Sequence, residues 1–280
     1  MLLRFSKYHG IGNDFVIVDE TEPDCARIDA AQAEAICDRH LGIGADGVIL
    51  VGDAPSMRIF NADGSRAQMC GNGLRCVALH LFRAGRISSA EQLVQTDAGP
   101  HRVRIEVRGG LASAQVWMSP PRIEPESLPL LAEGPWIAEP VEVLGRRLEI
   151  TAISMGNPHA IVFDVPPEER LRLAPAIGSM ALFPEGVNVG FASVHGSGLE
   201  LHVFERGAGW TQACGTGACA AALAAVLTGR APACQPLAVI LPGGTLTIVP
   251  DAPLAPIRME GPAAHVFDGS IELPLRGLGG

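Results

Sequence analysis

The chain has no run of basic residues, no apolar stretch long enough to cross a bilayer, and no cysteine or histidine pair at the spacing of a zinc site. Each absence narrows the function. With no basic run and a formal net charge of −9, nothing is built to grip a phosphate backbone, so nucleic acid is not an expected partner. The most apolar run, Ala218–Leu227, falls well short of the roughly 20 residues of a spanning helix, so no membrane partner is expected. The start, MLLRFSKYHGIGNDF, meets polar residues after two leucines and lacks the apolar core of a signal peptide, which makes a soluble, cytoplasmic protein the expectation. Neither C-x-x-C nor a paired-histidine motif with zinc spacing occurs, so no structural metal is expected. An odd number of cysteines, seven, argues against a disulfide framework. Cys25, Cys37, Cys76, Cys219 and Cys234 read as small buried hydrophobes; Cys70 and Cys214 do not.

Those two sit in stretches that repeat. QMCGNGLRC begins at Gln68 and QACGTGACA at Gln212, and the offset (214 − 70 = 144) also carries Phe60 onto Phe204, Gly85 onto Gly229, and GNDFVIV from Gly12 onto GNPHAIV from Gly156. One ungapped register over so many positions is an internal duplication. At 280 residues, 48% hydrophobic and 18% charged, the chain is globular and long enough for two domains with cores of their own.

Leu74–Ala84 and Ala218–Thr228 are rich in helix formers, free of proline, and followed by Gly85 and Gly229, suited to ending a helix. Each cysteine is therefore expected at or just before a helix N-terminus, followed by glycines that expose backbone N–H groups. Such an end binds a carboxylate and pulls a thiol toward thiolate. Two such units would hold one carboxylate with a thiol on each side. A racemase or epimerase needs that pair, because it removes a proton from one face of a carbon and returns one to the other.

The halves also differ. Asn61 aligns with Glu205 and Gly44 with Asn188, and only the second half carries the pair Glu205-Arg206. An arginine that can fork a carboxylate and a glutamate that can pair an ammonium would recognise the far end of an amino acid.

HGIGNDF, RHLGIGADG, FNADGS, MCGNGLRC, SMGNPHA, PEGVNVGF, ERGAGWTQACGTGACA and LPGG together resemble the diaminopimelate epimerases of lysine biosynthesis over nearly the whole chain. The resemblance implies cofactor-independent epimerisation of LL- to meso-diaminopimelate, with Cys70 and Cys214 as the two bases and His159 and Glu205 in support. It implies that the N–H groups of Gly71-Asn72 and Gly215-Thr216 bind the reacting carboxylate. Asn13, Asn61, Asn157, Asn188, Glu205 and Arg206 would line the rest of the substrate site, in a homodimer. Two positions depart from the pattern: Gly47 stands where some members carry glutamine, and Trp210 where a smaller or acidic residue is expected.

The implied fold is α+β, with two pseudo-symmetric domains, each a mostly antiparallel sheet rolled around a central helix, and the active site in the cleft between them. The expected boundaries are 1–118, with a C-terminal strand in 264–280 returning to it, and 119–263. Leu93–Thr96, Val103–Val107, Leu237–Leu241 and Thr245–Val249 read as strands. Three alternatives share features with this reading. A proline racemase-like enzyme uses two thiols but needs no distal Glu-Arg pair, and an isomerase of the phenazine-pathway type lacks the cysteine pair. A two-lobed amino-acid-binding module would hold the ligand without exchanging its α-hydrogen.

Overall fold

A computed structural model describes residues 2–22, 27–109, 111–252 and 254–273; Cys25 lies outside these. The chain divides into two compact units, Met1–Val116 with Gly261–Gly280, and Trp117–Glu260. The first contains β1 (Leu2–Gly10), β2 (Asn13–Asp19), α1 (Ala30–Cys37), β3 (Gly47–Val51), β4 (Met57–Asn61), β5 (Arg66–Ala67), α2 (Gly71–Arg83), β6 (Gln92–Thr96), β7 (Gly99–Arg108) and most of β8 (Leu111–Trp117). The second contains β9 (Glu139–Val143), β10 (Arg146–Ser154), β11 (Pro158–Phe163), α3 (Pro167–Gly178), β12 (Asn188–His195), β13 (Gly198–Glu205), β14 (Gly209–Thr211), α4 (Gly215–Leu227), β15 (Leu237–Leu241) and β16 (Gly244–Pro250). A last strand, β17 (Ile257–Glu272), pairs first with β16 and then, past Gly261, with β1. The sequence offset carries β1 onto β10 and α2 onto α4 residue for residue.

The fold is α+β, and most strand pairs are antiparallel. The exceptions include one in the same place in each half: β2 pairs β3 in parallel, as β11 pairs β12. Parallel neighbours need a crossover, and α1 and α3 supply it. Neither helix lies within one of the repeated cysteine motifs. α1 is started by Asp29, whose carboxylate caps the N–H of Gln32 while the Gln32 side chain returns the bond.

The two long helices explain how the cysteines are placed. In α4 the residues from Ala218 to Ala225 are all buried, and six of the eight are alanines. A helix buried on every side needs small side chains where strands pack around it, and α4 meets β10, β11, β12, β13, β15 and β16. α2 lies against β1, β2 and β7. Both helices end alike: Gly85 and Gly229 take φ of 69° and 71°, and the following N–H groups bond back to Leu81 and Ala225. Both start three residues earlier than their composition indicates, at Gly71 and Gly215, because the cysteines themselves serve as caps. No helix among the described residues is long and apolar enough to cross a membrane.

Candidate active site

Cys70 and Cys214 are the N-caps of α2 and α4, with extended backbones (φ −140° and −129°). Each sulfur accepts the N–H three residues on, from Gly73 at 3.4 Å and from Gly217 at 3.3 Å. Room for this contact depends on glycine: a Cβ on Gly73 would come within 2.9 Å of Ile49, and one on Gly217 within 3.2 Å of the Cys214 sulfur. The pairs Gly71-Asn72 and Gly215-Thr216 then occupy the first turn, where N–H groups point out of the helix end and the helix dipole favours an anion. Each unit thus presents a thiol at a helix end whose free N–H groups suit an anion.

In the first unit, the two residues between β1 and β2, Ile11 and Gly12, have φ of 49° and 88°. A β-branched residue rarely adopts the left-handed region, and the tight reversal it makes delivers Asn13 to the start of β2. The Asn13 Oδ1 lies 3.9 Å from the Cys70 sulfur and accepts from Asn72 Nδ2 at 3.0 Å. Asn61, at the end of β4, is exposed, and its amide donates to Ser65. Gly47, opposite Asn61 on β3, has no room for a side chain, since a Cβ would fall 2.6 Å from the Phe60 carbonyl.

In the second unit, Glu205 accepts from the Thr211 hydroxyl at 2.6 Å, and Thr216 lies 3.5 Å from the Cys214 sulfur. Asn188 is held from both sides: its Nδ2 donates to the Pro158 carbonyl and its Oδ1 accepts the Arg206 N–H, each at 2.9 Å. The exposed Arg206 guanidinium donates to the Glu185 carbonyl. Trp210 packs edge-on against Phe204 and beside Phe191, so it covers the sheet.

The electrostatics correct one expectation. The helix end was expected to draw the thiol toward thiolate, but burial pushes the Cys214 thiol well above its ordinary value, and the Glu205 carboxylate adds to the rise. The Thr216 hydroxyl and the Gly217 N–H offset only part of it. Burial also raises the Cys76 thiol to about 12. Cys37, Cys76 and Cys219 are buried as the sequence indicates, whereas Cys234 is exposed, its thiol donating to the Asp251 carbonyl outside any core.

His159 is fully buried and burial lowers it to about 3, so it is neutral at neutral pH. Its Nε2 donates to Asn157 Oδ1 at 3.1 Å, and Nδ1 has no hydrogen-bond partner among the described residues. The unfolded chain, with an ordinary histidine near 6.5, binds the proton that the folded chain refuses between pH 6.5 and 3. Stability should therefore fall as the pH drops below 6.5, by on the order of 2 kcal/mol at pH 5. Urea unfolding of the protein and its His159→Asn variant at pH 7 and pH 5 checks this: the variant should lose less stability by about that amount, and equal losses would contradict it.

Among the described residues no group of three or more His, Cys, Asp or Glu side chains could hold a metal ion. A hollow of about 320 Å³ in the second unit is lined by Arg146, Arg147, Phe163 and Arg230 among others, and none of the expected site residues faces it.

A family model described as diaminopimelate epimerase matches residues 5–123 and 151–266. Diaminopimelate epimerases of Desulforudis audaxviator and Geobacillus kaustophilus are 42% and 44% identical to this chain, with 95% of this chain and 98% and 95% of theirs covered. That of a Synechocystis strain is 41% identical, over 98% of this chain and all of its own. Among solved structures, a Bacillus anthracis phenazine biosynthesis protein of the PhzF family aligns with a TM-score of 0.70 at 16% identity, over 98% of this chain and 100% of its own. A hydroxyproline epimerase from Agrobacterium vitis aligns at 0.69 and 16%, over 96% and 91%. At such identities these two share the fold.

Proposed function

The chain belongs to the diaminopimelate epimerase family, and from that premise we propose that it interconverts LL- and meso-2,6-diaminopimelate by moving protons between one α-carbon and two thiols, Cys70 and Cys214. The observation that carries this is the repeated cap: each half places a cysteine sulfur at the mouth of a helix whose first N–H groups suit a carboxylate. In this reading the α-carboxylate is held by Gly71-Asn72 and Gly215-Thr216. One sulfur, as thiolate, takes the α-proton, and the C–H electron pair moves into the carboxylate as an ene-diolate. The other sulfur, as thiol, returns a proton to the opposite face. One thiol and one thiolate enter and leave, with their places exchanged, and the reverse reaction exchanges them back.

The remaining residues divide by what they can reach. Neutral, buried His159 serves by holding Asn157 rather than by carrying protons. Glu205 sets the charge beside Cys214 and, with Arg206, reads the distal ammonium and carboxylate. Asn13, Asn61, Asn157 and Asn188 line the substrate site. A cytoplasmic homodimer serving lysine and peptidoglycan-precursor synthesis belongs to the same proposal. Because no step uses a metal or a carbonyl cofactor, activity should survive chelators and hydroxylamine; inactivation by hydroxylamine would overturn the cofactor-free reaction.

A further inference from the structure

Beside Cys70 runs a chain of hydrogen bonds with a fixed direction. Arg75, on the second turn of α2, is fully buried, and its Nη1 donates to Asn72 Oδ1 at 3.0 Å. Asn72 Nδ2 donates to Asn13 Oδ1 at 3.0 Å, and Asn13 Nδ2 donates to Asp46 Oδ2 at 2.7 Å. An amide can ordinarily turn over and exchange its oxygen for its nitrogen. Here it cannot do so freely, because a guanidinium only donates and a carboxylate only accepts. The two ends impose one polarity on both amides between them, and that polarity turns the Asn13 oxygen toward the Cys70 sulfur.

Both ends are anchored in turn. Asp46 also accepts the Asp14 N–H and pairs with Arg39, and Asp14 pairs with Lys7 and Arg39. Arg75 Nε donates to the Pro262 carbonyl, and its guanidinium fits against the end of β1 because residue 10 is glycine: a Cβ there would come 2.8 Å from Nη2. The buried Cys76 thiol, on the same helix, feels both Arg75 and Cys70, and His9, paired with Asp14 across β1 and β2, accepts the Gly12 N–H. The second half has nothing equivalent, for the 144-residue offset puts Cys219 at the place of Arg75 and Gly190 at that of Asp46.

We propose that Arg75 and Asp46 are positioning residues of the first half-site, which lock the Asn13 amide with its oxygen toward Cys70 and so favour the protonated thiol until substrate arrives. A turned amide would present its N–H₂ to the sulfur and favour thiolate instead. The functional consequence rests on Cys70 being a catalytic thiol, but the orientation can be read at the sulfur whether or not that holds.

The test is the rate at which iodoacetamide alkylates Cys70 at one fixed neutral pH, quantified by peptide mass, with the exposed Cys234 as the internal control. Asp46→Asn and Arg75→Gln each replace a one-way end with an amide that can both donate and accept. Either remaining end still fixes the polarity, so each single variant should show only the effect of its lost charge, faster for the first and slower for the second. In the double variant those charges cancel and both anchors are gone. Its Cys70 rate should exceed the product of the single effects by about fivefold or more, with Cys234 unchanged. A double variant equal to that product overturns the proposal. Should Arg75→Gln not fold, Gly10→Ala displaces the guanidinium and keeps its charge: added to Asp46→Asn it should speed Cys70 further, and no further change overturns the proposal equally.

Discussion

Replacing either Cys70 or Cys214 with serine is expected to slow epimerisation by roughly 10²- to 10⁴-fold, the usual weight of one general acid or base, without loss of stability. Serine is the telling substitution because each cysteine has two roles that it separates. As a cap, each sulfur accepts an N–H from the third helical residue, and a serine hydroxyl does this well. As an acid or base, a hydroxyl is far weaker than a thiol, so the face it serves loses its proton carrier. Alanine would remove the cap too, at a cost of about 1 kcal/mol, and mix the two effects. Thermal unfolding alongside initial rates separates them. Serine variants with intact melting and near-normal rates would show that the cysteines only cap their helices.

Arg206→Met should lower kcat/KM for LL-diaminopimelate by about ten- to hundredfold, the weight of a charge-assisted hydrogen bond, with thermal unfolding and the alkylation rate of Cys70 unchanged. The two stereocentres of diaminopimelate are chemically alike, so an enzyme that turns over only one must read the other. The proposal gives this task to Arg206, whose N–H is bound to Asn188 while its exposed guanidinium rests on the Glu185 carbonyl and has further donors to offer. Lysine, which lacks the distal carboxylate, should fail as a substrate for the same reason. A variant with unchanged kcat/KM, or a parent enzyme that racemises lysine as fast as diaminopimelate, would remove Arg206 from the distal site.

Much of this was legible in the sequence because the duplication repeats chemistry as well as pattern. The same thiol before the same glycines marked both helix starts, and Gly85 and Gly229 marked both ends, at the positive φ only glycine takes easily. The starts lay three residues early because cysteine is not a usual cap, and its capping shows only when Sγ is seen to accept the Gly73 and Gly217 N–H groups. The parallel pairs that α1 and α3 connect are long-range features that no local motif announces, whereas the Asp29–Gln32 capping box and the Pro167-Glu168-Glu169 opening of α3 are local signals for the helices themselves. The state of Cys214 is hidden from the sequence for a similar reason. A helix end is visible in sequence, whereas the burial that outweighs it belongs to the folded unit. Arg75 and Asp46 were within reach, since comparing the halves sets them against Cys219 and Gly190, the same asymmetry that singled out Glu205.

The central claim, two thiols serving opposite faces of one carbon, is tested most directly by running LL-diaminopimelate in deuterated water and examining product and remaining substrate at low conversion. Two bases mean that the abstracted proton stays on one sulfur while the product is protonated from the other, already exchanged with solvent. The meso product should carry deuterium at the inverted α-carbon, while the unreacted LL-isomer remains protiated. A meso product that keeps its original hydrogen would mean a single base serving both faces, and would contradict the account.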